Sequence, residues 1–208
     1  VETVVAGEDV ASAAPAGPGE PNHRRGVAGI VFVYKCAGAA AAQMKDLDEV
    51  KRIAEKAAAN VRTMGVALTP CTIPEVGKPG FTIADDEMAI GMGIHGEPGV
   101  WNGPIKTADE LAEESMKTLL DDMPVNEGEE ICVLVNGLGA TSIEELYILS
   151  GSVRKILDEK GIKTYRTFVG EYATSMEMAG ASISICKVDD EMKKWIDMPV
   201  KTPFYTQA

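Results

Sequence analysis

Short, wholly apolar runs alternate along this chain with longer segments whose apolar residues fall on one side of a helix. That alternation points to a sheet covered by helices on both faces. Residues 46–64 place Leu47, Val50, Ile53, Ala54, Ala57, Ala58, Val61 and Met64 at helical spacing, with Asp46 and Glu49 as a capping-box-like start and Gly65 as the stop. Thr107 with Glu110, and Ser142 with Glu145, open two further helices, ended by Pro124 and Gly161. Residues 28–34 (AGIVFVY), 131–135 (ICVLV), 162–169 and 182–188 read as strands. Residues 87–94 alternate differently, with Met88, Ile90, Met92 and Ile94 forming one large apolar face, as in a strand packed on one side. The expected fold class is α/β: a mixed, mainly parallel sheet with helices on both faces. Asp189-Asp190-Glu191 resembles a further helix start, where acidic groups complement the dipole.

The chain opens with a strand-like run at residues 1–5, followed by SAAPAGPGEPN at residues 12–22, whose three prolines mark an exposed, poorly ordered loop. A boundary is expected there, dividing residues 1–25 from a main domain over residues 26–208. A hydrophobic fraction of 45% supports a packed globule. The net charge of −12 argues against nucleic acid and acidic membrane surfaces as partners, since both call for clustered Lys and Arg. Cys36, Cys71, Cys132 and Cys186 each lie in or beside an apolar run with no CxxC pair, which reads as buried, reduced thiols in a cytoplasmic protein. His23 and His95 are far apart, so no structural zinc site is expected. No apolar run reaches the ~20 residues needed to span a bilayer, and no signal peptide is visible.

The chemistry is concentrated in GKPGFTIADDEMAIGMGIHGEPG, residues 77–99. The face opposite the apolar one is Glu87, Ala89, Gly91 and Gly93, and one step further it reaches His95. Glycine weakens a strand unless something approaches closely, so Gly91 and Gly93 clear space beside the imidazole. Gly96 and Gly99 permit a sharp exit, and Glu97 before Pro98 holds the chain extended. A neutral imidazole nitrogen can attack a ketone carbon to give a hemiaminal; the unperturbed group titrates at ~6.5, which leaves much of it neutral. A structural loop histidine is the alternative. The turn NGLGAT, residues 136–141, fits a tight strand-to-helix connection better than a phosphate cradle, because Gly137 and Gly139 alone fall short of a nucleotide fingerprint. Asp85-Asp86-Glu87 reads as a solvated loop, the methionines of EYATSMEMAG (residues 171–180) as core, and Arg24-Arg25 as a surface or interface pair.

In order along the chain, RRGVAG, the histidine segment, VNGLGATSIEELY, EYATSMEMAGASISI, VDDEMKKW and the terminal DMPVKTPFY resemble the substrate-binding subunit of dihydroxyacetone kinases. The resemblance implies that His95 tethers the carbonyl carbon of dihydroxyacetone, or a related short ketose such as erythrulose, as a hemiaminal, with Gly93 and Gly96 beside the substrate. It implies no cofactor on this chain: the phosphoryl group would come from a separate ADP-carrying subunit, the form favoured here, or from ATP on an appended domain. The family's GGGSGHEP loop, with a second histidine, and its hydroxyl-activating aspartate are not found in this sequence. Residues 1–25 would then belong to, or link to, a first domain supplied elsewhere, and residues 26–208 would form the carbonyl-tethering domain. The expected partners are that first-half polypeptide, a nucleotide-carrying kinase subunit and a homo- or hetero-oligomer. A non-enzymatic sensor of the same fold, binding dihydroxyacetone and a transcriptional regulator, is equally compatible with His95, and a generic α/β interaction module is the blandest reading.

Overall fold

From Ile30 onward, helices and strands form two helical layers around one sheet in the computed structural model, which describes every residue except Pro18, Pro98 and Phe204. The elements are α1 (Ile30–Ala42), α2 (Leu47–Ala59), β1 (Val61–Ala67), β2 (Glu87–Ile90), β3 (Trp101–Pro104), α3 (Ala108–Asp122), β4 (Glu130–Gly137), α4 (Ile143–Glu159), β5 (Lys163–Gly170), β6 (Gly180–Val188) and α5 (Asp190–Asp197). A small hairpin, β7 (Val200–Lys201) with β8 (Thr206–Gln207), follows. Six strands form one sheet in the order β3-β2-β1-β6-β4-β5.

Residues alternate between the two faces of each central strand. From β4, Ile131, Val133 and Val135 join the cluster under α3 and α4, together with Ala181, Ile183 and Ile185 of β6. Their neighbours Cys132, Leu134 and Cys186 join the cluster under α1, α2 and α5. Because helices cover both faces, β4 is buried from Ile131 to its end, and its stretch Ile131–Val135 reads as a continuous apolar run. Both capping boxes form: the side chains of Thr107 and Ser142 accept the N–H groups of Glu110 and Glu145, and each glutamate carboxylate accepts the cap N–H in return. Asp189 caps α5, accepting the Met192 N–H at 2.9 Å.

The mixed sheet and its two helical layers are as expected, but the pairing is not mainly parallel. Among the named strands of the described residues, β4 and β5 alone pair in parallel: β6 returns between β1 and β4 antiparallel to both, and β2 is antiparallel to β1 and β3. Apolar residues on both faces report coverage by helices, not strand direction. Residues 28–34 are no strand. They lead into α1, which buries Phe32, Val33, Cys36, Ala39 and Ala40 along one helical stripe and leaves Tyr34 exposed. The helix expected over residues 46–64 stops at Ala59, and Val61 and Met64 belong to the central strand β1. The strand expected over residues 87–94 stops at Ile90. Gly91 turns with φ 78°, so Met92 shares its cluster with Ala89 rather than with Met88 and Ile90.

All four cysteines are free and buried. Burial pushes the Cys36 and Cys132 thiols up to about 12, and that of Cys186 well above its ordinary value. No helix among the described residues is long and apolar enough to cross a membrane.

Residues 1–5 form no strand. The N-terminal arm, residues 1–25, joins the sheet slightly later, where Asp9 bridges Thr63 in parallel: the Thr63 N–H donates to the Glu8 carbonyl at 2.9 Å, and the Val10 N–H to the Thr63 carbonyl at 3.0 Å. The β2 ladder meets β1 at Val66 and Ala67, which leaves the edge at Thr63 to the N-terminal segment. Glu8 is fully buried there. One carboxylate oxygen accepts the Val27 N–H at 2.7 Å, just ahead of α1. The other has no hydrogen-bond partner among the described residues.

Burial raises the Glu8 carboxyl from its ordinary 4.5 to about 7, against the pull of the Val27 N–H. Between those two values the folded state holds a proton that the unfolded chain has released, so this group's contribution to stability falls as pH rises through that window. Glu8→Gln keeps the acceptor for Val27 and removes the titration. The stability of the variant relative to the parent should grow between pH 5 and pH 8 by on the order of 3 kcal/mol, read from denaturant unfolding at the two pH values. An unchanged difference would mean that Glu8 is ionised throughout.

Candidate functional site

His95 lies in the connection between β2 and β3. The Gly91 N–H donates to the Gly65 carbonyl at 2.7 Å, and the Val100 N–H donates to the Ile90 carbonyl at 2.9 Å, closing the base of that connection. Within it, the Gly96 N–H donates to the Gly93 carbonyl at 3.2 Å, and the Gly93 N–H to the Glu97 carbonyl at 3.2 Å. Gly96 has φ 78°, a left-handed conformation that a side chain would strain. A Cβ on Gly93 would collide with the Glu97 carboxylate. The room at Gly93 is therefore filled by Glu97, which folds back beneath the histidine. The expected extended exit rests on Pro98, which lies outside the described residues.

Glu97 holds the His95 backbone and stands beside its ring. One carboxylate oxygen accepts the His95 backbone N–H at 2.9 Å, and the other stands 3.4 Å from Nδ1. Burial works against ionisation of Glu97, but the backbone N–H groups of Glu97 and His95 and the charges of His95 and Arg25 hold its carboxyl below the usual range. A carboxylate beside Nδ1 favours the tautomer with the proton on Nδ1, which leaves the Nε2 lone pair available. The imidazole is 63% exposed, and no protein group among the described residues hydrogen-bonds Nε2. The ring is thus presented to solvent and not packed away.

The loop is anchored from below and from the side. Met92 sits in a cluster with Ala67, Cys71, Ala89, Leu138 and Met178, against which Ile94 and Phe81 pack. Gly96 passes over the Cys71 sulfur and the Phe81 ring. At the loop's first residue, an Arg25 terminal nitrogen donates to the Gly91 carbonyl at 2.9 Å, while the Arg25 Nε donates to buried Asp9 at 3.0 Å.

The other candidates have structural roles. The arginine pair is not a surface feature: Arg24 is buried, with both terminal nitrogens on Asp122 at 2.9 and 2.5 Å, and Arg25 is half-buried. NGLGAT is a strand-to-helix connection. The buried Asn136 amide accepts the N–H groups of Tyr172 and Ala173 at 2.9 and 2.8 Å and donates to the Ala173 carbonyl, while Thr141 bonds both backbone groups of Gly180. Of the methionines in residues 171–180, Met178 is core and Met176 is exposed. Asp85 and Asp86 sit in a turn before β2, and no group of three metal-binding side chains occurs among the described residues. Sequence reasoning missed the part that Glu97, Arg25 and Asp9 play around His95. The spacing of Glu97 two residues from His95 was a usable signal. Nothing local linked Asp9 and Arg25 to the histidine.

The Dak1 domain matches residues 1–204. This chain belongs to the Dak1 domain family. It is 45% identical over 205 residues to the dihydroxyacetone-binding subunit DhaK of PTS-dependent dihydroxyacetone kinase 2 from Listeria innocua, covering 99% of this chain and 60% of that protein. It is 42% identical over 201 residues to a D-erythrulose kinase of Mycolicibacterium smegmatis, covering 97% of this chain and 34% of the other. Among solved structures, a dihydroxyacetone kinase operon co-activator, Dha-DhaQ, superposes with a TM-score of 0.84 at 31% identity, over 94% of this chain and 60% of that one. This Dak1 chain therefore spans 60% or less of each of these relatives.

If the Asn136 turn is structural, Asn136→Ala should cost stability, because the Tyr172 and Ala173 N–H groups lose their acceptor in a buried site. About 2–4 kcal/mol is expected, measured by denaturant unfolding. A loss below about 0.5 kcal/mol would show that water takes over both bonds.

Proposed function

We propose that this chain is the carbonyl-holding part of a dihydroxyacetone kinase, and that His95 holds the ketose covalently. The observation that carries the reading is an exposed imidazole whose Nδ1 faces a carboxylate and whose Nε2 has no protein partner among the described residues. The Nε2 lone pair adds to the carbonyl carbon, and the carbonyl π electrons move to oxygen, which takes up a proton. As the ring becomes positive, Glu97 stabilises it, and loss of the Nδ1 proton leaves a neutral hemiaminal. Only a carbonyl compound can form this bond, so the tether selects short ketoses and aldehydes over glycerol. Gly93 and Gly96 contribute through backbone: they keep the loop narrow beside the ring and let Glu97 reach beneath it.

Phosphoryl transfer to a terminal hydroxyl then draws on groups outside these residues: a first-half polypeptide with its own acid/base residues, and a nucleotide-carrying subunit or domain as donor. The kinase names of the Listeria and Mycolicibacterium relatives support this reading, and the name of the second supports erythrulose as an alternative substrate. We place the protein in the cytoplasm, as an oligomer. The likeness to the Dha-DhaQ co-activator supports a second reading, a dihydroxyacetone sensor that contacts a regulator of transcription. Phosphorylation of dihydroxyacetone by the reconstituted complex would decide for the kinase.

With dihydroxyacetone labelled at its carbonyl carbon, carbon NMR of the full-length protein should show a new resonance for a tetrahedral carbon bonded to nitrogen. His95→Ala should abolish it while changing stability by no more than about 0.5 kcal/mol, as expected at an exposed position. An adduct that survives in His95→Ala would move the tether to another residue.

A further inference from the structure

We infer that Asp9 and Arg25 form a positioning pair that sets the place of the His95 loop from outside it. The inference rests on the tethering role proposed for His95.

Asp9 lies on the arm, far from His95 in sequence, and its carboxylate is almost wholly shielded from water. A carboxylate in that setting needs a full set of donors. One oxygen accepts the Ala11 N–H at 3.1 Å, and the other accepts Arg25 Nε at 3.0 Å, with an Arg25 terminal nitrogen 2.8 Å away. The backbone of Arg25 is fixed by the same turn. Its N–H donates to the Ser12 hydroxyl at 3.0 Å, the Ser12 hydroxyl donates to the Asp9 carbonyl at 2.9 Å, and the Asp9 N–H donates to the Arg25 carbonyl at 3.1 Å. The guanidinium is therefore held in place before it meets the loop.

What it meets is the carbonyl of Gly91, where β2 ends and the loop begins. The same turn presses on Gly91 from the side, since a Cβ there would come within 2.6 Å of the Ala11 Cβ. The Arg25 charge is also among those that hold the Glu97 carboxyl, which stands beside Nδ1, below its usual range. The structural link from the guanidinium to the His95 loop thus runs through the backbone at Gly91. The arrangement needs the planar fork of arginine, because a lysine ammonium keeps the charge but cannot direct donors at fixed angles to Asp9 and to Gly91 together.

Arg25→Lys separates position from charge. In the full-length protein, the dissociation constant of the carbon-13 dihydroxyacetone adduct should rise about tenfold or more, the size expected for a lost charge-assisted hydrogen bond. The nitrogen-15 resonances of the His95 ring in the free protein should move away from those of the Nδ1–H tautomer. A general loss of structure would not produce that signature in a variant whose unfolding midpoint is unchanged. If Arg25→Lys does not fold, Asp9→Asn, which keeps the shape and one acceptor, gives the same two readings. An adduct within twofold of the parent and an unmoved ring spectrum would overturn the inference. A parent protein that forms no adduct would instead sink the tethering role, while the ring spectrum of the variant would still report whether the pair positions His95.

Discussion

Strand β6 makes every other element possible. It hydrogen-bonds to β1 along one edge and to β4 along the other, and all three strands lie where water cannot replace a missing backbone partner. Because β6 runs against both neighbours, the chain can reach it from β5 by the short connection of residues 171–179, which Asn136 pins to the end of β4. With the centre filled in this way, β1 is left to accept β2 over two residues and the arm beside Thr63. The histidine loop and the Asp9 turn emerge side by side at that shared edge.

How much of this was readable in the chain depends on how local each signal was. The Thr107–Glu110 and Ser142–Glu145 boxes are three-residue patterns with a single geometric meaning, and both helices start where they should. Strands β4, β5 and β6 were legible from their lack of charge or their β-branched runs. The failures arise where periodicity is ambiguous. Residues 28–34 are apolar throughout, and the helical stripe appears only once Cys36, Ala39 and Ala40 are counted with them. Val61 and Met64 fall in phase with α2 although Asn60 ends it, so a central strand was hidden inside a helix. Strand direction left no trace, since residues packed under helices are apolar whichever way the strand runs.

The site divides in the same way. His95 and the glycines around it stand out from the sequence because an imidazole flanked by residues without side chains is a local pattern. Glu97 was readable in part, two residues away. Arg25 bonds across 66 positions to Gly91, and only the sheet brings the two together. A basic pair beside a proline-rich stretch looks like surface, whereas in the fold one arginine supports α3 through Asp122 and the other reaches the loop.

The buried sulfur atoms of Cys36, Cys132 and Cys186 have a practical use. The thiolate, not the thiol, attacks an alkylating reagent. With an acidity near 12, only about one molecule in 10⁵ of Cys36 or Cys132 carries a thiolate at neutral pH. Since Cys36 sits on α1 while Cys132 and Cys186 face each other across β4 and β6, their modification has to wait until that helix lifts from the sheet. The time course of alkylation at these three positions is therefore a clock for breathing of the helical layer, written into the protein without any introduced label.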